Sequence, residues 1–339
     1  MGKNSCPHAW GGDLAMLLVN AANHSLCTST WNNYTSVWKR LVKITRETGV
    51  NFSYPMSTLM VQTLVAHLIR SGLKSSTIMS YLSAVRQGHV IRGMEAPALS
   101  ETVVKAALKG LKNIEVIRND APRAVMTLEL LKKARENLRD MRMSGERKRL
   151  IWTVLVFLFM GSLRASEILG TDPRKFDPTK TLCGADIKII KVEAQEEQLR
   201  VIQLRLKQPK TARTNPQQLV ELPETGGWLC PVQALESWLK VRKGGMVGGR
   251  PAFTWKDGSI ATLNDFNKIL EALLGKEKPK ITTRAFRPAL PTILAREGAT
   301  ESMLLSLGRW TSKSYLHYVR QGRTNDWKGL LLKLRKIAT

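Results

Sequence analysis

The sequence is poor in acidic residues, histidine and cysteine, and each shortage excludes a class of protein. Asp and Glu total 27 of 339 residues against 53 Lys and Arg, so the formal net charge is +26. The four cysteines (Cys6, Cys27, Cys183 and Cys230) form no CxxC pair, and no histidine accompanies one at zinc-ligand spacing. We therefore expect a reduced, intracellular protein without disulfides, zinc or another cofactor.

Long hydrophobic runs are also missing. The most apolar stretch, 150–163, is shorter than the roughly 20 residues that a membrane-spanning helix needs, so it predicts a buried core helix. The beginning of the sequence does not resemble a signal peptide. The basic residues are spread over the whole chain, which disfavours a membrane-surface protein. Nucleic acid is the expected partner, because each phosphate that a cation neutralises releases condensed counterions.

Helical periodicity in the first half predicts a small bundle. Residues 1–27 are expected to be an N-terminal extension, and 28–114 a helical DNA-binding domain. Its four helices are predicted at about 28–45, 57–70, 75–91 and 100–112, with the first capped by Thr28, Ser29 or Thr30 and the third by Ser75 or Ser76.

Basic residues recur along this bundle. A set of them is predicted to form a DNA-facing surface: Lys39, Arg40, Lys43, Lys74, Arg86, Arg92 and Lys109, with Lys105 and Lys112 nearby. The alternative for each one alone is an ordinary solvated helix face.

The second half has a mixed pattern. Asn119-Asp120-Ala121-Pro122 is turn chemistry, so we expect a linker there and a second domain at 123–339. Alternating apolar residues at 185–222 predict a small antiparallel sheet. Helices are predicted at 127–141, 146–163, 231–242, 262–273, 283–297, 300–307 and 311–321, and an amphipathic basic helix at 327–337. The expected fold class is mainly α with a small antiparallel sheet.

Two segments carry arginines suited to phosphate chemistry. Clustered carboxylates for a two-metal site are missing, so fixed cations are the more plausible way to stabilise a phosphoryl transition state. Arg164 ends the apolar run, and Glu167 is three residues on, where it can brace the arginine. Arg284 and Arg287 are three apart and are expected on one helix face, with an anion between them.

Two further segments supply a lysine and a nucleophile. Lys210 is predicted at a hairpin tip, with Lys207 as the competing candidate. Trp310 is followed by Tyr315 and Tyr318, and neighbouring cations can favour the phenolate form of a tyrosine.

These four segments, in this order, resemble the tyrosine recombinase (phage integrase) family, and more narrowly its crypton and DIRS-like transposon-encoded branch. The likeness covers roughly residues 28–322. In the first half it rests on Lys74-Ser75-Ser76-Thr77-Ile78 and Tyr81-Leu82-Ser83-Ala84-Val85-Arg86, which are similar to the core-binding helix. Pro251-Ala252-Phe253 and Asp257-Gly258-Ser259 also look like that branch.

The resemblance implies a role for each matching residue. Arg164 and Arg287 correspond to the two invariant arginines, and Lys210 to the hairpin lysine that protonates the leaving 5′ hydroxyl. Trp310 corresponds to the His/Trp position, and Tyr318 to the nucleophile that forms a 3′-phosphotyrosine link. The implied protein is a DNA recombinase or transposase of two domains, a helical core-binding (SAM-like) bundle and a catalytic domain.

The resemblance also implies an assembly and a location. Such proteins bind double-stranded DNA, act as tetramers on two DNA sites and exchange a C-terminal helix, here 327–337; the alternative is that this helix packs in cis. A protein from a eukaryotic transposon is expected in the nucleus, and otherwise in the cytoplasm or nucleoid.

Two departures from the family pattern keep alternatives open. Arg284 stands where the family usually has histidine, and an arginine cannot accept a proton, so the general base for Tyr318 is unassigned. Tyr318 lies eight residues after Trp310, whereas many members use nine; Tyr315 is the other candidate. A catalytically silent DNA-binding protein is the main alternative, followed by a metal-dependent nuclease and a basic membrane-surface protein.

Overall fold

A computed structural model describes residues 26–96, 102–117, 124–194, 197–207, 217–242, 248–275 and 280–310, with isolated positions at 17, 21 and 246. The chain divides into two compact units, Met1–Ala121 and Pro122–Thr339. The fold is mostly helical with one three-stranded antiparallel sheet, as the sequence predicts.

Four helices form a bundle in the described part of the first unit, as predicted. They are α1 (Thr28–Thr48), α2 (Thr58–Arg70), α3 (Ser75–Val90) and α4 (Thr102–Ile117). Their apolar faces form one core that includes Leu41, Ile44, Leu64, Leu68, Ile78 and Val104. The Trp38 indole N–H donates to the carbonyl of Ala84 over 3.0 Å, which fixes α1 against α3.

The predicted caps of α1 and α3 are wrong. The N-cap residues are Cys27 and Lys74. Ser75 lies inside α3, and its hydroxyl donates to Glu115 of α4 over 2.8 Å. The Ser75 hydroxyl, which the local sequence assigns to the helix cap, is therefore bound to Glu115 of another helix instead.

The second unit is built around a sheet and a buried helix. Its helices are α5 (Leu128–Asp140), α6 (Gly145–Met160), α7 (Ala165–Ile168), α8 (Pro231–Leu239), α9 (Leu263–Leu274), α10 (Ala289–Arg296) and α11 (Glu301–Gly308). Its strands are β1 (Ile187–Ala194), β2 (Glu197–Lys207) and β3 (Gln217–Pro223), with β2 in the middle. Register pairs Ile187 with Leu204 and Leu204 with Val220, so these apolar side chains share one face.

Helix α6 is the predicted core helix. From Leu150 to Met160 all residues except Trp152 are buried. The Thr153 hydroxyl donates within the helix to Arg149 and lies 2.9 Å from the carbonyl of Ala234 in α8. Within the described ranges, no helix is long and apolar enough to span a bilayer.

The predicted helix at 283–297 is divided. A 3-10 turn, Thr283–Phe286, precedes α10, and Pro288 lies between them. Proline has no N–H, so the helical bond from residue 288 back to residue 284 cannot form. Arg284 is exposed, whereas Arg287 is partly buried, and the prediction of a single helix that holds both arginines is wrong.

Candidate functional site

The site begins where the core helix ends. Helix α6 stops at Gly161, and Arg164 then caps the short helix α7. Glu167 is buried and binds Arg164 twice: Oε2 accepts from the Arg164 backbone N–H, and Oε1 accepts from Nη1, each at 2.8 Å. The backbone and the guanidinium of Arg164 are thus held by one carboxylate, with 28% of the arginine side chain still exposed.

Arg287 joins this turn to the end of α11. Its Nη1 donates to the carbonyl of Ser162, and its Nη2 donates to the carbonyl of Gly308. The guanidinium also lies 5.7 Å from the centre of the Trp310 ring. The planar fork of an arginine holds two carbonyls in fixed directions, so one side chain sets the position of both turns.

Arg309 is the site residue that the sequence reasoning missed. Its Nη2 pairs with Glu167 Oε2 at 2.9 Å, and its Nη1 donates to the carbonyl of Gly161 at 3.3 Å. Burial lowers the pKa of its guanidinium, Glu167 opposes that shift, and the charge of Arg164 adds to it. The sequence offered one signal, because Arg309 directly precedes Trp310, a predicted site residue.

Both turns carry local strain. Among the described residues, Ser162 (φ 44°) and Arg309 (φ 51°) are the only non-glycine residues in the left-handed region. Ser162 Oγ and Arg309 Nε are also buried, and neither has a hydrogen-bond partner among the described residues. Strain and unpaired polar atoms persist where the surrounding contacts over-determine the backbone, which is common at functional sites.

We name this group the arginine cluster: Arg164, Glu167, Arg287, Arg309 and Trp310. Glu167 pairs with the guanidinium groups of Arg164 and Arg309, and Arg287 adds a third guanidinium, so the cluster carries more positive than negative charge. Such fixed cations suit an anion that gains charge during a reaction.

The remaining predicted site residues fall into two groups. The Arg284 side chain is exposed and forms no hydrogen bond or ion pair with a described residue, although its backbone carbonyl accepts from the Arg287 N–H at 3.3 Å. Lys210, Tyr315 and Tyr318 lie outside the described residues, as do the helices predicted at 311–321 and 327–337.

Lys207, the competitor of Lys210, is described and is engaged elsewhere. Its Nζ lies 2.7 Å from Asp186 Oδ2, 2.7 Å from the Pro178 carbonyl and 3.0 Å from Cys183 Sγ. Burial alone would lower the pKa of Lys207, but the bonds to Asp186 and Cys183 outweigh it and raise the pKa. These contacts hold the Lys207 ammonium in place at the end of β2.

The basic residues predicted to face DNA in the first unit are all exposed. Their contacts within the unit include that of Lys43, which lies 3.6 Å from Glu47, and that of Arg92, which covers the Tyr54 ring at 4.3 Å. Exposure is the property that phosphate contacts require. The DNA-facing surface remains a prediction.

The arginine cluster yields a stability prediction. Glu167→Gln keeps the shape of the side chain but leaves Arg164 and Arg309 without a counter-charge, and breaking a buried ion pair costs about 3 kcal/mol. The transition of the second unit in scanning calorimetry should fall by roughly 6–12 °C. Glu221→Gln is the matched control, because that exposed carboxylate bonds only the Gln203 amide at 2.9 Å. Equal transitions for the two variants would contradict the ion-pair account.

Comparison with known proteins identifies the fold as that of the tyrosine recombinases. No protein-family model matches the sequence, and no curated protein matches it either. Among solved structures, the Tn1549 transposon integrase in complex with circular intermediate DNA aligns with a TM-score of 0.56 and 15% identity over 96% of this chain and 99% of that one. The XerH site-specific recombinase bound to palindromic difH DNA aligns with a TM-score of 0.56 and 14% identity over 90% and 80%. At such identities the likeness establishes the fold alone.

Proposed function

We propose that this chain is a site-specific DNA recombinase or transposase that cuts and rejoins strands through a tyrosine. The observation that carries the proposal is the arginine cluster, in which Arg287 and Glu167 hold two distant turns together beside Arg164 and Trp310. Similarity to recombinases solved with DNA adds support.

The proposed reaction is a phosphoryl exchange. The Tyr318 oxygen attacks the phosphorus and its proton passes to water, while the bond to the 5′ oxygen breaks and Lys210 supplies the proton that this oxygen gains. Arg164 and Arg287 neutralise the charge that grows on the non-bridging oxygens, and Trp310 donates a hydrogen bond to one of them. A 5′ hydroxyl from another strand then reverses the exchange, so one phosphodiester replaces another without a nucleotide cofactor or a metal.

Support for Lys210 as the proton donor comes from Lys207. The contacts of Lys207 with Asp186 and Pro178 hold its ammonium at the sheet, so it is a poor choice for a mobile proton donor. Lys210 is three residues further along the same segment. We therefore retain Lys210 as the candidate.

A silent DNA-binding protein is the second candidate, and Arg284 is the reason. Its guanidinium stays protonated and cannot remove the proton of Tyr318. In the proposed enzyme Arg284 binds phosphate and takes no part in removing the proton of Tyr318.

The wider assignment follows from the same proposal. Residues 28–114 bind DNA, 123–339 form the catalytic domain, and 327–337 link subunits of a tetramer on two DNA sites. The chain belongs to the crypton or DIRS-like branch and acts in the nucleus if its transposon is eukaryotic, otherwise in the cytoplasm or nucleoid.

Trapping of a covalent protein–DNA adduct tests the proposal. A DNA site is first selected from a randomised duplex pool by binding to the full chain. It is then rebuilt with a nick near the centre, so that a short fragment with the 5′ hydroxyl diffuses away after cleavage. We expect a band that survives denaturation and forms equally with EDTA present. An adduct that EDTA abolishes would favour a metal-dependent nuclease, and tight binding without any adduct would favour the silent protein.

A further inference from the structure

A second group of cations in the same unit surrounds an open cavity of about 410 Å³. The cavity lies among α5, α6 and α8 and is lined by Arg135, Leu138, Arg139, Lys148, Arg149, Trp152, Ala234 and Ser237. Four of these eight residues are cationic and none is acidic. We call this cavity the basic pocket.

Neutral groups hold the cations of the basic pocket in place. Arg149 Nε donates to Ser237 Oγ at 3.2 Å, and the Lys148 ammonium donates to the carbonyl of Arg139. The Arg135 guanidinium lies 5.4 Å from the centre of the Trp152 ring, and that ring is stacked on Trp228. None of the four cations forms an ion pair with a described carboxylate.

The like charges of the basic pocket therefore repel each other, and no described carboxylate pairs with them to offset that repulsion. Burial, followed by the charge of Arg139, lowers the pKa of Arg135, which means that its protonated form is disfavoured where it stands. A bound anion would remove this penalty. Arginine presents a planar fork that fits the oxygens of a phosphate, and two of the cations, Arg139 and Arg149, are exposed.

The basic pocket is separate from the arginine cluster. Arg149 precedes Gly161 by twelve residues, nearly all of them in α6, which is about 18 Å at 1.5 Å per residue. One phosphate cannot occupy both sites.

We propose that the basic pocket binds a backbone phosphate of the DNA duplex, outside the step that is cut. The inference rests on the proposed function only in taking DNA as the ligand. The net charge of +26 and the exposed mouth of the pocket favour a long polyanion over a small enclosed one.

The salt dependence of DNA binding tests this proposal on the full chain. The variant combines Arg139→Gln with Arg149→Gln, and the control combines Lys180→Gln with Lys280→Gln. The control removes the same charge from two lysines that are already paired, with Asp177 at 3.0 Å and Glu271 at 2.7 Å. Binding to the selected duplex is measured from 50 to 200 mM salt.

Losing one phosphate contact should reduce the slope of log K against log salt by about 0.9, and affinity at 0.1 M salt by about 8-fold. The control should keep the slope of the parent. Equal slopes in parent and variant, or equal losses in variant and control, would overturn the proposal.

Two further measurements separate the sources of failure. If inorganic tripolyphosphate raises the melting temperature of the parent but not of the variant, and the DNA slope does not change, the pocket binds a small anion and the DNA proposal is wrong. The amount of covalent adduct that the parent forms at saturating protein tests the recombinase proposal separately. If the parent forms no adduct, but the variant binds DNA more weakly than the parent, the recombinase proposal is wrong and the pocket assignment stands.

Discussion

Replacing Arg287 with alanine should slow strand cleavage by roughly 10³-fold while reducing duplex affinity by about tenfold or less. Arg164→Ala should act alike. Each arginine is one of many cations that contact the duplex, but the charge that grows in the transition state depends on these two. Single-turnover cleavage of the selected DNA site and equilibrium binding to it measure the two quantities.

The control for this pair is Arg296→Ala, which removes an exposed arginine at the end of α10. Arg287→Lys separates charge from geometry, because an ammonium restores the charge but cannot bond the Ser162 and Gly308 carbonyls as a fork. We expect it to remain slow. If binding fell as far as cleavage in either alanine variant, the assignment of these arginines to transition-state stabilisation would be wrong.

Tyr318→Phe should abolish the covalent adduct, a loss of roughly four to six orders of magnitude in cleavage rate, because phenylalanine has no oxygen to attack phosphorus. Duplex affinity should not change measurably. Tyr315→Phe is the matched control, since it removes the same hydroxyl three residues away. An adduct that persists in Tyr318→Phe and disappears in Tyr315→Phe would transfer the role of nucleophile to Tyr315.

Much of the fold can be predicted from the sequence because its elements are set by local patterns. The apolar run at 150–163 becomes the buried helix α6, and the alternation at 185–222 becomes the three-stranded sheet. Local reasoning fails where a distant group competes. Glu115 binds Ser75 and removes it from its predicted cap, and Pro288 interrupts a segment whose apolar spacing is helical.

The candidate site is predictable in its short-range part only. Arg164 and Glu167 are three residues apart, and their ion pair can be anticipated from that spacing. The bond from Arg287 to Ser162 joins residues 125 apart, which periodicity cannot reveal. Arg309 was missed because an arginine beside a tryptophan is typical of an exposed basic turn, whereas here its side chain is only 7% exposed and pairs with Glu167.

A single carboxylate, that of Glu167, pairs with two guanidinium groups of the arginine cluster. Glu167 orients Arg164 from one side and Arg309 from the other, so its two oxygens connect the end of α6 with the end of α11. A rigid frame of this kind holds cations in place before a phosphate arrives. Little reorganisation is then needed when charge develops during the reaction.

Mass spectrometry of the trapped adduct tests the central claim most directly. After digestion of the protein and the DNA, the account predicts a peptide that carries a nucleotide on Tyr318 through a 3′ phosphate, formed with EDTA present and missing from the Arg164→Ala protein. A nucleotide attached to another residue, or cleaved DNA with no peptide attached, would contradict it.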